Sequence, residues 1–289
     1  MNVPALPALL ALLFAMVVLP SDAAAGRIER PAPLPRVITL ASPVLAANDP
    51  VQVSAAFVDA VIHDDAATPF LVYFQSLDAA ALQRALDTPP RQLAFWINVY
   101  NGYTQHFLKS DPALFLADRR AYFSKAQIAL AGDRVSLEDI EHGVLRRGAT
   151  IYTLGHVRTL MFRSAFIQQF AVAAVDYRIH FALNCGAASC PAVMPYTAET
   201  LDAQLDAITR DYLARETHYD AARGEMRVPA LLRWFSADFD GGSAKAKRRI
   251  LQGHGVLPQG SSPKLIYRPY DWTLRVRNYA LFAPSGLPQ

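Results

Sequence analysis

Apolar residues recur every three or four positions in several stretches of this chain, and that spacing is typical of helices with one buried face. The strongest stretch, residues 92–108, carries an apolar and mainly aromatic stripe at four-residue intervals: Phe95, Val99, Tyr103 and Phe107. In all, the pattern predicts helices over residues 51–63, 77–86, 92–108, 137–146, 200–215, 229–235 and 244–252. Helices should therefore make up most of the domain.

Strand patterns are fewer. Apolar and polar residues alternate from Tyr177 to Leu183, which predicts a strand, and residues 128–135 predict a hairpin around an Ala-Gly-Asp-Arg turn. Residues 266–276 are strand-like at the end of the domain. No repeat and no linker rich in Gly or Ser divides the chain. We therefore expect one α+β domain over residues 51–289, with helices packed on a small, mainly antiparallel sheet.

The N-terminus has the pattern of an export signal. An unbroken apolar run from Leu9 to Leu19 is followed by Pro20 and by three alanines at positions 23–25. The run is shorter than the roughly 20 residues that a membrane-spanning helix needs. We expect a signal peptide over residues 1–25, an extended proline-containing lead-in over residues 26–50, and a periplasmic or secreted mature protein without a membrane span.

Charge gives little indication of a partner. The formal net charge of +3 becomes about +4 when the leader is removed, because Asp22 is its only charged side chain. The basic residues are scattered apart from Lys245–Arg249, which is typical of a solvated helix face. We expect no nucleic-acid partner, and the composition indicates no cofactor. A small molecule or a peptide remains the expected partner.

Both cysteines of the chain, Cys185 and Cys190, lie in one loop of small residues just after the predicted strand. In an oxidising compartment two such thiols can form a disulfide, whereas in the cytosol the same pair would more often be metal-binding or catalytic. A bridge this short would shape the loop more than it would stabilise the fold.

Four separated motifs give the chain a resemblance to a known family. They are Phe95-Trp-Ile-Asn-Val-Tyr-Asn101, Ser136-Leu-Glu-Asp-Ile-Glu-His142, Arg178-Ile-His-Phe-Ala-Leu-Asn-Cys185 and Ser189-Cys-Pro191. Together they resemble the family known as domain of unknown function 547, and the later segments Trp234–Phe239 and Tyr270–Trp272 look like its C-terminal signatures. The family has no settled activity, so the function has to be inferred from the residues.

A thiol nucleophile needs a base and a group that orients the base. Cys190 is the better nucleophile, and His180 on the predicted strand or His142 can act as the base. Arg178, expected on the same strand face as His180, would lower the pKa of the thiol. The order of histidine before cysteine is typical of circularly permuted papain-like enzymes, so a papain- or transglutaminase-like form of the α+β fold is one expectation.

Glu138, Glu141 and His142 form a second group on the helix predicted over residues 137–146. Positions i, i+3 and i+4 share one helix face, so the three side chains can converge. Either glutamate can orient His142, or the group can supply metal ligands together with His180. Two or three ligands from one helix are a weak metal signal, and we expect no metal.

Polar residues in the motifs are the candidates for binding. On the aromatic helix these are Asn98, Tyr100 and Asn101, and near the cysteines they are Arg178, Asn184 and Ser189. A buried asparagine needs hydrogen-bond partners, so Asn101 and Asn184 should either brace the cysteine loop or offer an oxyanion donor. Bracing is the favoured interpretation. The three tryptophans are most simply core residues.

Two functions follow from these residues. The leading hypothesis is a thiol-dependent hydrolase or acyltransferase that uses Cys190. The alternative is a non-enzymatic periplasmic binding or scaffold module with a Cys185–Cys190 disulfide. A metal-dependent hydrolase is third.

Overall fold

A computed structural model describes residue 45 and residues 48–280 of the chain. The predicted leader and most of the predicted lead-in lie outside these residues. The helices are α1 Pro50–Ile62, α2 Thr68–Ser76, α3 Ala79–Ala85, α4 Pro89–Ser110, α5 Ala113–Ala117, α6 Arg119–Ser124, α7 Ala165–Phe170, α8 Leu201–Glu216, α9 Leu231–Trp234 and α10 Ala244–Gly253. None of the described helices is both long and apolar enough to cross a membrane.

Shorter turns of helix connect these elements. Residues Asp139–Leu145 form a π-helix, and 3₁₀ turns lie at Ile151–Thr153, Leu160–Phe162, Tyr177–Phe181, Ser236–Asp238 and Asp240–Gly242. The strands are β1 Ile128–Leu130, β2 Asp133–Val135, β3 His218–Asp220, β4 Glu225–Val228 and β5 Lys264–Tyr267.

Helix α4 is the centre of the fold. Two prolines occupy its first turn, where their missing N–H groups cost nothing, and buried residues then cover almost its whole circumference from Leu93 to Gln105. Helix α1 packs directly on it at Gly102, where an added Cβ would lie 2.4 Å from the ring of Phe57. Glycine at this position therefore lets the two helices approach closely.

The sheets are small, as predicted. Strands β1 and β2 form an antiparallel hairpin whose turn uses the positive φ angles of Ala131 and Gly132. In the second sheet, β3 pairs antiparallel with β4, and β4 pairs parallel with β5. With helices packed against two small and mostly antiparallel sheets, the predicted α+β class is confirmed.

The strand predicted from Tyr177 to Leu183 is wrong, because this segment forms a 3₁₀ turn. The side chain of Asp176 accepts a hydrogen bond from the backbone N–H of Arg178 and caps the turn. Residues 179–181 are buried consecutively rather than alternately. Because the segment is not a strand, the inference that Arg178 and His180 share one strand face is also wrong.

Two other predictions need adjustment. Residues 137–146 are helical, but Arg146 N–H bonds the carbonyl of Glu141, five residues back, so the turn is wider than that of an α-helix. Ser136 and Asp139 cap its start reciprocally, as the S-x-x-D pattern predicts. Of residues 266–276, only the first two belong to a described strand.

Candidate functional site

A cleft of about 700 Å³ opens in the described part of the chain. Aromatic side chains supply much of its wall: Tyr100, Phe123, Trp234, Phe235, Tyr270 and Trp272. Four predicted catalytic residues, Glu138, Glu141, His142 and His180, line it together, as does Cys185. The structure thus places residues that are far apart in sequence around one cavity.

A buried carboxylate, Asp238, organises the polar side of the cleft. Its Oδ2 accepts hydrogen bonds from Arg146 Nε at 2.6 Å and His180 Nε2 at 3.0 Å, and its Oδ1 accepts one from Arg158 at 3.0 Å. The side chains of Asp238 and Arg146 are fully buried. Burial opposes ionisation of Asp238, but the bonds from His180 and Arg146 lower its pKa to about 2.

His180 is held in one orientation by this carboxylate. Its ring stacks on Phe235 with centroids 4.0 Å apart, and burial lowers its pKa even though Asp238 favours the charged form. A neutral imidazole that donates Nε2–H to Asp238 has a free lone pair on Nδ1. That buried Nδ1 has no hydrogen-bond partner among the described residues.

His142 is neutral for a related reason. Burial and the nearby guanidinium of Arg146 lower its pKa to about 3. Its Nδ1 lies 2.9 Å from Arg146 Nη1 and accepts that donor, which leaves the ring proton on Nε2. Asp238 and Arg146 therefore fix the protonation of both histidines.

The two glutamates also have perturbed environments. Burial raises the pKa of Glu141, although Arg146 opposes the shift, and Tyr100 donates its hydroxyl to this carboxylate at 3.0 Å. Burial and the neighbouring Asp139 raise the pKa of Glu138. Within the described ranges, no three His, Cys, Asp or Glu side chains are arranged to hold a metal ion.

Cys185 and Cys190 form a disulfide. Cys185 lines the cleft, whereas Cys190 is only 2% exposed and lies behind it. The hydroxyl of Tyr270 lies 3.1 Å from each sulfur. With both sulfurs bonded to each other, Cys190 is not a free nucleophile in this state.

The predicted amides hold the loop that carries the disulfide. Asn101 donates to the carbonyl of Ala182 at 2.9 Å and accepts the backbone N–H of Asn184 at 2.8 Å. Asn184 in turn donates to Pro191 O at 2.6 Å and accepts the N–H of Gly186 at 2.8 Å. Both amides are fully buried, so they brace the loop rather than face the cleft.

The remaining candidate binding residues lie outside the cleft. Asn98 bonds the backbone of Tyr196 in the core, and the Ser189 hydroxyl accepts the N–H of Asp271. Arg178 forms ion pairs with three aspartates, Asp176, Asp202 and Asp206. Asn98, Ser189 and Arg178 do not line the cleft, and the side-chain hydrogen bonds of Arg178 go to aspartates and a backbone carbonyl rather than to a cysteine sulfur.

Sequence reasoning missed the residues that complete the site. Asp238 and Tyr270 lie in the two C-terminal segments that resemble the family, so the resemblance could have marked them as candidates. The sequence around them does not indicate which residues they contact. Trp234 and Trp272 line the cleft, which corrects their placement in the core, while Trp96 is fully buried as expected.

The fold and site define an α+β domain with a single bridged cysteine loop on the wall of an aromatic cleft. Residues 84–213 match the family model described as "Protein of unknown function, DUF547". Residues 84–213 therefore belong to this family, as the motifs within them predicted. It matches no curated protein and no solved structure. A papain- or transglutaminase-like relationship therefore stays a prediction, as does the resemblance beyond residue 213.

Proposed function

We propose that this protein is an exported binding module whose cleft takes a small molecule or peptide with an apolar, planar body. The observation that carries the proposal is the cleft itself, about 700 Å³ in volume and walled by aromatic side chains above a buried polar cluster. Cavities of this size that combine apolar walls with a few convergent polar groups are typical ligand sites.

The aromatic wall favours a flat ligand. Trp234 and Trp272 stack at 5.9 Å with their planes only 20° apart, and the Tyr270 ring lies 4.8 Å from each. The guanidinium of Arg119 lies 5.0 Å from the centre of the Trp272 ring. These contacts hold the rings in place, so little side-chain entropy is lost when a ligand packs on them.

The opposite side of the cleft supplies polarity without a large net charge. His142 and His180 are neutral, and Asp238 is balanced by its bonds to Arg146 and Arg158. Burial already raises the pKa of Glu141, and a ligand that excludes more water from the cleft would raise it further and favour the protonated carboxyl. Such a surface selects the polar groups of a ligand by hydrogen bonding more than by charge.

Binding of 8-anilinonaphthalene-1-sulfonate, a fluorescent probe with a flat naphthalene ring, tests this proposal. Ser124→Trp places a large ring among the residues that line the cleft and should weaken probe binding at least tenfold. Ser110→Trp, at the exposed end of α4, is the matched control and should bind as the unmodified protein does. Equal affinity in both variants would place the probe elsewhere and contradict the proposal.

A thiol-dependent hydrolase or acyltransferase is the second candidate. It is favoured by the pairing of Asp238 with His180, which leaves Nδ1 unpartnered as a base in a cavity that Cys185 also lines. The disulfide would have to be reduced before either thiol could attack an acyl group.

Hydrolysis of p-nitrophenyl acetate before and after reduction tests the second candidate. The enzyme hypothesis expects activity only after reduction, and its loss in either Cys185→Ser or Cys190→Ser identifies the nucleophile. Equal rates with and without reductant, or retention of activity in both variants, would contradict it.

A further inference from the structure

The two sulfurs of the disulfide have different environments. Cys185 is half-buried and lines the cleft, whereas Cys190 is 2% exposed. Cys190 Sγ accepts the backbone N–H groups of Cys185 at 3.0 Å and of Ala187 at 3.3 Å. No backbone N–H of the described residues bonds the Cys185 sulfur. Cys185 is thus the cysteine of the pair that reaches the cleft, whereas the Cys190 sulfur lies in a cluster of hydrogen-bond donors.

This asymmetry matters for thiol–disulfide exchange. In that reaction a thiolate attacks one sulfur in a disulfide, and the other sulfur leaves as a thiolate. The attacked sulfur must be accessible, and the departure is faster when the leaving thiolate is stabilised. Backbone N–H groups that point at a sulfur stabilise its thiolate form.

We propose that the Cys185–Cys190 disulfide is an exchange site with a fixed direction, in which Cys185 is attacked from the cleft and Cys190 leaves. The co-substrate is a thiol that can enter the cleft, either a small molecule or the cysteine of an extended peptide. The site thereby gives the protein a redox activity beyond ligand binding.

The electrons balance in two steps. The incoming thiolate forms a bond to Cys185 Sγ, the S–S bond breaks, and its electron pair moves to Cys190 Sγ. A second thiolate then attacks the incoming sulfur and releases Cys185 as a thiolate. Two thiols are oxidised to one disulfide, and the protein disulfide is reduced to two thiols, which take up the two protons.

Tyr270 is positioned to assist the first step. Its hydroxyl lies 3.1 Å from Cys185 Sγ and 3.1 Å from Cys190 Sγ, so it does not set the direction of exchange, but it can donate to the Cys190 thiolate as the S–S bond breaks. Contacts with Trp234 and Trp272 hold its ring against the loop. The N–H groups come from the loop backbone and stay in place when side chains are changed.

Trapping of the mixed disulfide tests the direction of exchange. The full-length oxidised protein is treated with reduced glutathione, quenched with acid, and digested with pepsin at low pH for fragmentation by mass spectrometry. We expect glutathione on Cys185 and a free thiol at Cys190. Glutathione on Cys190, or equally on both, would overturn the proposal, as would reduction that occurs only at the rate of global unfolding.

Single cysteine substitutions compare the accessibility of the two sulfurs. In Cys190→Ser, Cys185 should react rapidly with 5,5′-dithiobis(2-nitrobenzoic acid), whereas in Cys185→Ser the buried Cys190 should react at least tenfold more slowly. Both should react alike in urea. Equal native rates would contradict the assigned accessibility.

Tyr270→Phe removes one donor from the leaving sulfur and should slow reduction by glutathione by about two- to tenfold, the range for one neutral hydrogen bond. Tyr177→Phe is the matched control, since its hydroxyl bonds His254 and does not line the cleft. If folded Tyr270→Phe is reduced by glutathione at an unchanged rate, the Tyr270 hydroxyl does not assist the departure of Cys190.

Discussion

Asp238 controls the polar side of the cleft through contacts with three other residues. It bonds Arg146, which directly follows the π-helix, His180 from a 3₁₀ turn and Arg158 from the segment between them. A buried carboxylate and guanidinium are each costly to remove from water, and they are tolerated because each satisfies the other. Removing one partner leaves the other charge buried without compensation.

Asp238→Asn should therefore lower the free energy of unfolding by about 3–5 kcal/mol, because Arg146 loses its counter-ion in a fully buried position. Asp240→Asn is the matched control, since Asp240 pairs with Arg249 at the exposed surface and should change stability by less than about 1 kcal/mol. Urea denaturation of both variants gives the comparison. Similar losses in the two variants would show that the buried pair contributes no more than a surface pair.

At the scale of the elements, sequence periodicity predicted the long helices well. Helices α1, α4, α8 and α10 begin and end within about three residues of the predicted bounds. Their apolar positions repeat over several turns, so one misleading residue changes the pattern little. The segment 177–183 has only seven residues, too few for the alternation to outweigh local contacts such as the Asp176 cap and tertiary packing.

The site could be predicted only in part. The motifs supplied the cysteines, both histidines and both glutamates, since these residues lie in two short segments, 138–142 and 180–190. The partner of His180 could not be predicted, because Asp238 is 58 residues away along the chain and the contact depends on tertiary packing. The same holds for Tyr270, which is 80 residues from Cys190.

The close packing of α1 on α4 predicts opposite effects of alanine at two helix glycines, Gly102 and Gly253. Gly102→Ala should destabilise the fold by about 1–3 kcal/mol, because the new Cβ would overlap the buried ring of Phe57. Gly253→Ala, in α10, meets no atom within 4 Å and should instead stabilise by up to about 1 kcal/mol through helix propensity. Thermal unfolding measures both changes, and a stabilising Gly102→Ala would contradict the packing of the two helices.

At the scale of the molecule, the cleft is assembled from separate parts of the chain. The π-helix, the 3₁₀ turn at Tyr177–Phe181, the cysteine loop and the C-terminal aromatic segment all contribute to it. Several of its groups are buried in one protonation state, so folding and protonation are linked. As the pH falls, protonation of the histidines should lower the stability of the fold at a higher pH than protonation of Asp238 does.

His142 gives this linkage a defined sign. Its pKa is about 3 in the folded protein and 6.5 in the unfolded chain, so its contribution to stability is complete above pH 6.5 and is lost as the pH falls towards 3. Between pH 8 and pH 5 this loss should be about 2 kcal/mol. The raised pKa values of Glu138 and Glu141 act in the opposite direction, so the effect has to be isolated by substitution.

His142→Gln keeps a neutral acceptor for Arg146 but cannot be protonated, so it should lose about 2 kcal/mol less than the unmodified protein between pH 8 and pH 5. His156→Gln, which changes an exposed histidine, should follow the unmodified protein. Urea unfolding at each pH measures the difference. Parallel pH profiles for all three proteins would mean that His142 does not titrate with folding, and the neutral imidazole assigned to the cleft would then be wrong.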